Sequence, residues 1–211
     1  MSDVNQLLDS LGDGWTLYDE SEDTTPKSVT MGPGLYPAHI TKVEIVERDV
    51  LKKFKAKIYN LTVVIADDAK NRKYKAKSDG VDCEVDGSSF VGREVRSQGV
   101  FKFLSPTSSD SFQANPGGNK KYMSMVESLG IKAESIEVEI NGEKRSVKKL
   151  PDINEEDLLG KPMIAGVGFS KPWKGKDGKE RQTLEVKSIR PWAEGTEIDL
   201  VPTNDDDDIP F

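Results

Sequence analysis

Ile58-Tyr59-Asn60-Leu61-Thr62-Val63-Val64-Ile65 is the stretch that decides the fold, because it is a short apolar run of β-branched and aromatic residues. This composition predicts a buried β-strand. Upstream, residues 35–46 mix β-formers with polar residues in alternation, directly after the turn sequence Met31-Gly32-Pro33-Gly34. Downstream, residues 91–104 alternate again and end in Phe101-Lys102-Phe103-Leu104. The sequence therefore predicts three strands in succession, with a polar connection over residues 67–90.

A helix and two further strands follow. Residues 120–129 carry apolar side chains at helical spacing, with Asn119 as the predicted N-cap and Gly130 as the glycine that ends the helix. Residues 136–140 and 144–150 flank Asn141-Gly142, which predicts an inserted β-hairpin. Strands are predicted over residues 163–169 and 182–189, joined by a basic loop, residues 170–181.

The order of these elements predicts the fold class. Three strands, one helix and two strands, with the helix between strands three and four, is the order of the five-stranded OB-type barrel. We therefore expect an all-β fold with minor α content, with a β-hairpin insertion and a disordered acidic tail. A β-sandwich is the alternative architecture.

Charge divides the chain into three regions. The net charge is −7. Residues 1–30 hold seven acids and one lysine, and residues 194–211 hold seven acids and no base, which leaves +6 on residues 31–193. We interpret these regions as an acidic N-terminal arm, an OB-fold domain and a disordered acidic C-terminal tail. A basic body between acidic ends is typical of a protein that binds a polyanion.

The C-terminal tail ends in Asp205-Asp206-Asp207-Asp208-Ile209-Pro210-Phe211. Four consecutive acids cannot pack and favour an extended, solvated segment. Two apolar side chains, a stiffening proline and a carboxylate at its end suit a pocket rimmed by lysine or arginine. We therefore predict that these seven residues bind a partner protein.

This ending resembles the acidic tip of bacterial single-stranded-DNA-binding proteins, which recruits replication and repair enzymes. The body is similar to phage-encoded OB-fold single-stranded-DNA-binding proteins, and the similarity lies in short motifs: Gly14-Trp15, Gly34-Leu35-Tyr36-Pro37-Ala38, residues 122–130 and Leu159-Gly160-Lys161-Pro162. The resemblance implies a single-stranded-DNA-binding barrel with a partner-recruiting tail. The segments 67–90 and 136–150 have no counterpart in that pattern.

Single-stranded DNA binding requires cations for the phosphates and aromatic faces for the bases. Three stretches interleave the two and supply the candidate binding residues: Lys52, Lys53, Phe54, Lys55, Lys57 and Tyr59 after strand one; Arg72, Lys73, Tyr74 and Lys75 in the second connection; and Lys171, Trp173, Lys174, Lys176, Lys179 and Arg181 between strands four and five. Phe101 and Phe103 share one face of strand three, either as base platforms or in the core. Trp173 either stacks on a base or packs within its loop.

These features predict a sequence-nonspecific single-stranded-DNA-binding protein for phage or viral DNA replication, recombination or repair, with replication and repair proteins as partners of the tail. The alternatives are a DNA-mimicking inhibitor and a strand-annealing recombination mediator. We expect no enzyme activity, cofactor or metal, because His39 and Cys83 stand alone and no P-loop or dinucleotide fingerprint is present.

The remaining expectations concern location and assembly. No apolar run approaches the roughly 20 residues of a membrane span, and the lone cysteine suggests a reducing compartment. We therefore expect a cytoplasmic protein, in the host cytoplasm if the protein is viral. One barrel contacts few nucleotides, so a homodimer or a cooperative oligomer also fits the sequence.

Overall fold

A computed structural model of the chain describes residues 29–50, 54–104, 119–140 and 142–200. Residues 1–28 of the predicted acidic arm and residues 201–211 of the predicted disordered tail lie outside the described residues. The predicted disorder is wrong for residues 194–200, because Ile198 donates its backbone amide to Gly160 at 3.1 Å and Glu197 forms an ion pair with Lys161.

The described residues form thirteen strands, one α-helix and two 3₁₀ turns. The strands are β1 (Val29–Met31), β2 (Gly34–Val50), β3 (Phe54–Ile65), β4 (Lys73–Ser78), β5 (Val81–Asp86), β6 (Glu94–Ser97), β7 (Val100–Phe103), β8 (Ser135–Ile140), β9 (Glu143–Lys148), β10 (Pro162–Phe169), β11 (Trp173–Lys174), β12 (Glu180–Arg181) and β13 (Leu184–Arg190). The helix is α1 (Lys120–Ser128), and the 3₁₀ turns are Asp67–Asn71 and Gly87–Phe90.

Five strands close into a barrel in the order β2, β10, β13, β6 and β3, and β3 pairs back with β2. β6 runs parallel to β13, and the other barrel pairings are antiparallel. The predicted OB-type fold, with its helix between strands three and four, is confirmed. Strand three is divided at Gly99, which adopts φ +89°, and a Cβ there would lie 2.7 Å from Cγ2 of Ile58. Only glycine fits this bend, which allows β7 to continue along β3.

The core fills the barrel and extends beneath it to α1. Tyr122 of α1 contacts Tyr59 of β3 with ring centroids 5.2 Å apart, and its hydroxyl donates to the backbone oxygen of Pro151 at 2.8 Å. The helix ends as predicted at Gly130, where the amide of Ile131 donates to Val126 and that of Gly130 to Glu127.

Asn119 is the N-cap residue of α1, as predicted, although its side chain does not cap the helix. The Asn119 side chain makes no capping hydrogen bond, and its Oδ1 instead accepts from the backbone amide of Phe103 at 2.8 Å. The residue therefore fastens the start of α1 to the end of strand three.

The segment 67–90, predicted to be a connection, is a structured subdomain. β4 and β5 form a hairpin, and β1 adds to its other edge to complete a three-stranded sheet. Tyr74 stacks on Tyr36 of the barrel at 4.3 Å, and Phe90 contacts both rings edge-on at 6.0–6.1 Å. This aromatic group seals the barrel end opposite α1.

Two smaller hairpins complete the fold. β8 and β9 confirm the predicted insertion, although Asn141 of its turn lies outside the described residues. The predicted loop 170–181 contains the two-residue strands β11 and β12, which pair through Trp173 and Arg181.

Candidate nucleic-acid interface

The pairing of β3 with β7 determines which side chains face outward. Residues directly opposite each other across an antiparallel pair lie on the same face of the sheet. Ile58 pairs with Phe101 and Ala56 with Phe103, whereas Tyr59 pairs with Val100. Since Tyr59 points into the core, the two phenylalanines lie on the outer face of the barrel, half-buried, with ring centroids 6.1 Å apart and planes 21° from parallel.

A polar depression follows the aromatic pair along the same face. It has a volume of about 260 Å³ and is lined by Lys42, Glu44, Asn60, Leu61, Thr62, Arg96 and Ser97. Lys42, Thr62 and Arg96 are neighbours across β2, β3 and β6. Arg96 and Lys42 are exposed, and among the described residues neither forms an ion pair. Glu44 lines the same depression and Glu185 lies opposite Arg96, so both cations have an acidic neighbour as well as an exposed side chain.

The β11–β12 hairpin presents an exposed indole among cations. Trp173 is 47% exposed, and the guanidinium carbon of Arg181 lies 5.9 Å from its ring centroid. Asp177 holds that guanidinium through a 2.8 Å hydrogen bond. The remaining cations of the hairpin are all exposed: Lys171, Lys174, Lys176 and Lys179.

Register connects these three features into one surface. β13 begins beside β6, with Glu185 opposite Arg96, so the β11–β12 hairpin leaves the barrel near Arg96. Phe101 and Phe103 lie toward the other end of β3. Ala56, opposite Phe103, and Thr62, opposite Arg96, are six residues apart on β3, which corresponds to about 20 Å at about 3.3 Å per residue. We call this surface, from Phe103 through Arg96 to Trp173, the outer strip.

The predicted role of Tyr59 in base stacking is wrong, because the side chain is fully buried and its hydroxyl donates to the Ile153 backbone oxygen at 3.3 Å. Lys57 also points away from the outer strip. Its ammonium lies 3.1 Å from Asp152, and this hydrogen bond raises the pKa of Lys57. Lys102, which is 6% exposed, donates to the same carboxylate at 2.9 Å. These groups form a structural ion cluster.

The predicted role of Tyr74 in base stacking is also wrong, because its ring is buried between β4 and the barrel. Its neighbours Arg72, Lys73 and Lys75 are exposed. However, the β4–β5 register places Lys73 opposite Asp86 and Lys75 opposite Glu84. Carboxylates thus offset the lysines of this stretch, which lies outside the outer strip.

The first basic stretch is described only in part. Lys52 and Lys53 lie outside the described residues, as does the side chain of Phe54. Lys55 is exposed, and the strand register places it opposite Asp49 in the β2–β3 hairpin. The tail residues Asp205 to Phe211 also lie outside the described residues.

Asn60, Arg96 and Lys42 were not predicted to line the site. The available signal was a polar residue at an outward position of a strand: Asn60 interrupts the apolar run of β3, and Arg96 alternates with buried Val95.

The potential metal ligands and the one free thiol do not cluster within the described residues. No group of three His, Cys, Asp or Glu side chains there could hold a metal ion. His39 lies 2.9 Å from the backbone oxygen of Thr196, and Cys83 is a half-buried free thiol. The described helix has nine residues, and no helix in this part of the chain has the length and apolarity of a membrane span.

Comparison of the chain with protein-family models, with curated proteins and with solved structures found no match.

Proposed function

We propose that this chain is a sequence-nonspecific single-stranded-DNA-binding protein that acts in phage or viral DNA replication, recombination or repair. The observation that carries the proposal is the outer strip, where half-buried and exposed aromatic rings lie among exposed cations along the outer face of an OB-type barrel.

The chemistry of the outer strip suits a single strand. Phe101, Phe103 and Trp173 offer ring faces on which unstacked bases stack, and every base has such a face, so the contact tolerates any sequence. Arg96, Lys42 and the hairpin lysines lie between or beside the rings and neutralise phosphates. In a duplex the bases already stack on one another, so the aromatic contacts favour the single strand.

The acidic tail adds a second part to the proposal. Asp205 to Asp208 compete with DNA for the basic outer strip, and Ile209, Pro210 and Phe211 bind a replication or repair protein when DNA displaces the tail. The charge distribution supports this idea, because residues 194–211 hold seven acids and no base while residues 31–193 carry +6.

The test is equilibrium binding of the full chain to a labelled dT oligomer and to a matched duplex over a series of salt concentrations. We expect tighter binding to the single strand, weakening as salt rises because phosphate contacts release counterions. Equal affinity for the duplex, or absence of binding at low salt, would overturn the proposal. In that case, capture of a nuclease by the chain would favour the DNA-mimic alternative.

A further inference from the structure

The β8–β9 hairpin is attached to the body mainly at its base. Lys149 donates its backbone amide to Glu134, and the Lys148 ammonium lies 2.5 Å from Glu127 of α1. The apolar side chains of the hairpin (Ile136, Val138 and Val147) are half-buried, and none belongs to the main core. A two-stranded hairpin is marginally stable alone. Within the described residues each of its strands has one edge that pairs with no other strand.

The two edges of the hairpin carry opposite charge. β8 contains Glu137 and Glu139, both exposed, and no base. β9 contains three cations and one acid, all exposed: Lys144, Arg145, Lys148 and Glu143. Unpaired edges are templates for strand addition from another chain. Two β8 edges brought together would oppose carboxylates, and two β9 edges would oppose cations, whereas β8 against β9 pairs opposite charges.

We propose that the hairpin joins copies of this chain head to tail, with the β8 edge of one copy pairing with the β9 edge of the next. Main-chain hydrogen bonds supply the contact, and the charges select the unlike edge. Because the two joined surfaces differ, a growing row keeps a free edge at each of its ends, and the contact propagates instead of closing into a dimer.

The contact is weak for a pair of copies in solution. Two six-residue strands bury far less than the roughly 1,200 Å² of a stable protein interface. Copies held side by side on one polymer meet at a high effective concentration, about millimolar for short tethers, which compensates for weak affinity. The consequence is cooperative coating of a long single strand, and this consequence alone rests on the proposed function.

Charge reversal of one edge at a time tests the pairing. Glu137→Lys with Glu139→Lys makes both edges basic, and Lys144→Glu with Arg145→Glu makes both acidic. We expect each double variant to lose self-association, and an equimolar mixture of the two to regain it, because each variant then offers an unlike edge to the other. A hairpin that had merely unfolded would not be rescued by mixing.

The readout without DNA is sedimentation velocity as a function of protein concentration, up to about 1 mM, the range of effective concentration on a strand. Matched controls carry the same charge change elsewhere on exposed positions: Glu155→Lys with Glu156→Lys, and Lys120→Glu with Lys121→Glu. We expect both controls to associate like the unmodified chain. The proposal is overturned if the unmodified chain stays monomeric, if either hairpin variant associates normally, or if mixing restores nothing.

Binding to DNA separates the two proposals. We expect the hairpin variants to bind a short dT oligomer with unchanged affinity, and to need a several-fold higher concentration to saturate a long dT strand. If no form binds the short oligomer, the proposed function fails while the sedimentation result still decides the head-to-tail contact. If the unmodified chain binds the short oligomer but coats the long strand without cooperativity, the proposed consequence for DNA coating is overturned, and sedimentation alone decides the head-to-tail contact.

Discussion

Trp173→Ala removes an indole that is 47% exposed and has the Arg181 guanidinium 5.9 Å from its ring centroid. With the guanidinium on one side, the ring has a single face left for one base. Base–aromatic stacking contributes about 1–3 kcal/mol per base, and about 1.4 kcal/mol corresponds to tenfold in Kd. We therefore expect the substitution to raise the Kd for a dT oligomer between about fivefold and about 140-fold.

Fluorescence anisotropy of a labelled dT oligomer, measured over a salt series, is the assay. Val81→Ala is the matched control, because Val81 is 69% exposed on the three-stranded sheet outside the outer strip, and we expect no change. Trp173→Ala removes no charge, so the dependence of log K on log salt should keep its slope. Lys174→Ala with Lys176→Ala should reduce that slope by about 0.7 for each phosphate that the lysines no longer neutralise. Unchanged affinity of Trp173→Ala would refute the stacking role.

Three further predictions concern stability and the tail. Asp152→Asn removes the carboxylate that accepts a hydrogen bond from the nearly buried ammonium of Lys102. This substitution should lower the free energy of unfolding by about 1–3 kcal/mol at neutral pH. The hydrogen bonds from Lys102 and Lys57 hold the pKa of Asp152 below its ordinary 3.8, so this stabilisation is present above that value and is lost as pH falls below it. Urea melts of the unmodified protein and the variant should therefore converge in acid. A constant difference in stability between them would contradict the assignment. Burial raises the pKa of Tyr36 to about 12 and also raises the pKa of Tyr59, Tyr74 and Tyr122 above the ordinary 10. Since the unfolded chain loses these protons first, the free energy of unfolding should fall as pH rises above about 10. Tyrosinate absorbance and circular dichroism should then change together. Complete titration of the tyrosines while the chain stays folded would contradict their burial. Deletion of residues 204–211 should strengthen binding to dT oligomers at low salt, an advantage that screening removes at high salt, and unchanged low-salt affinity would exclude competition by the tail.

The barrel could be predicted because its signals are local. The apolar run of β3, the alternation in β2 and the glycine after α1 each report on a few neighbouring residues. The sheet of β1, β4 and β5 was not predicted, because residues 67–90 were interpreted as a polar connection. Its alternation of Lys73, Lys75 and Lys77 with buried Tyr74 and Ala76 is present, but the lysines made the segment resemble a polar loop. Its third strand, Val29–Met31, is brought to it by long-range pairing that no local pattern reports.

The candidate site was predicted in part, and the errors have one cause. Composition identifies a stretch rich in cations and aromatic rings, but it does not say which face of a strand each side chain occupies. Register answers that question: it turns Phe101 outward and Tyr59 inward, and it sets a carboxylate opposite Lys73. Trp173 differs because its basic loop lacks apolar periodicity, and the structure shows the indole exposed among cations.

Photochemical cross-linking of a dT oligomer to the full chain, followed by mass spectrometry of the peptides, tests most directly where a single strand lies. We predict adducts on Phe101, Phe103 and Trp173, and their loss when unlabelled oligomer competes. Adducts confined to the β4–β5 sheet or to the β8–β9 hairpin would contradict this prediction, as would a complete absence of adducts at low salt.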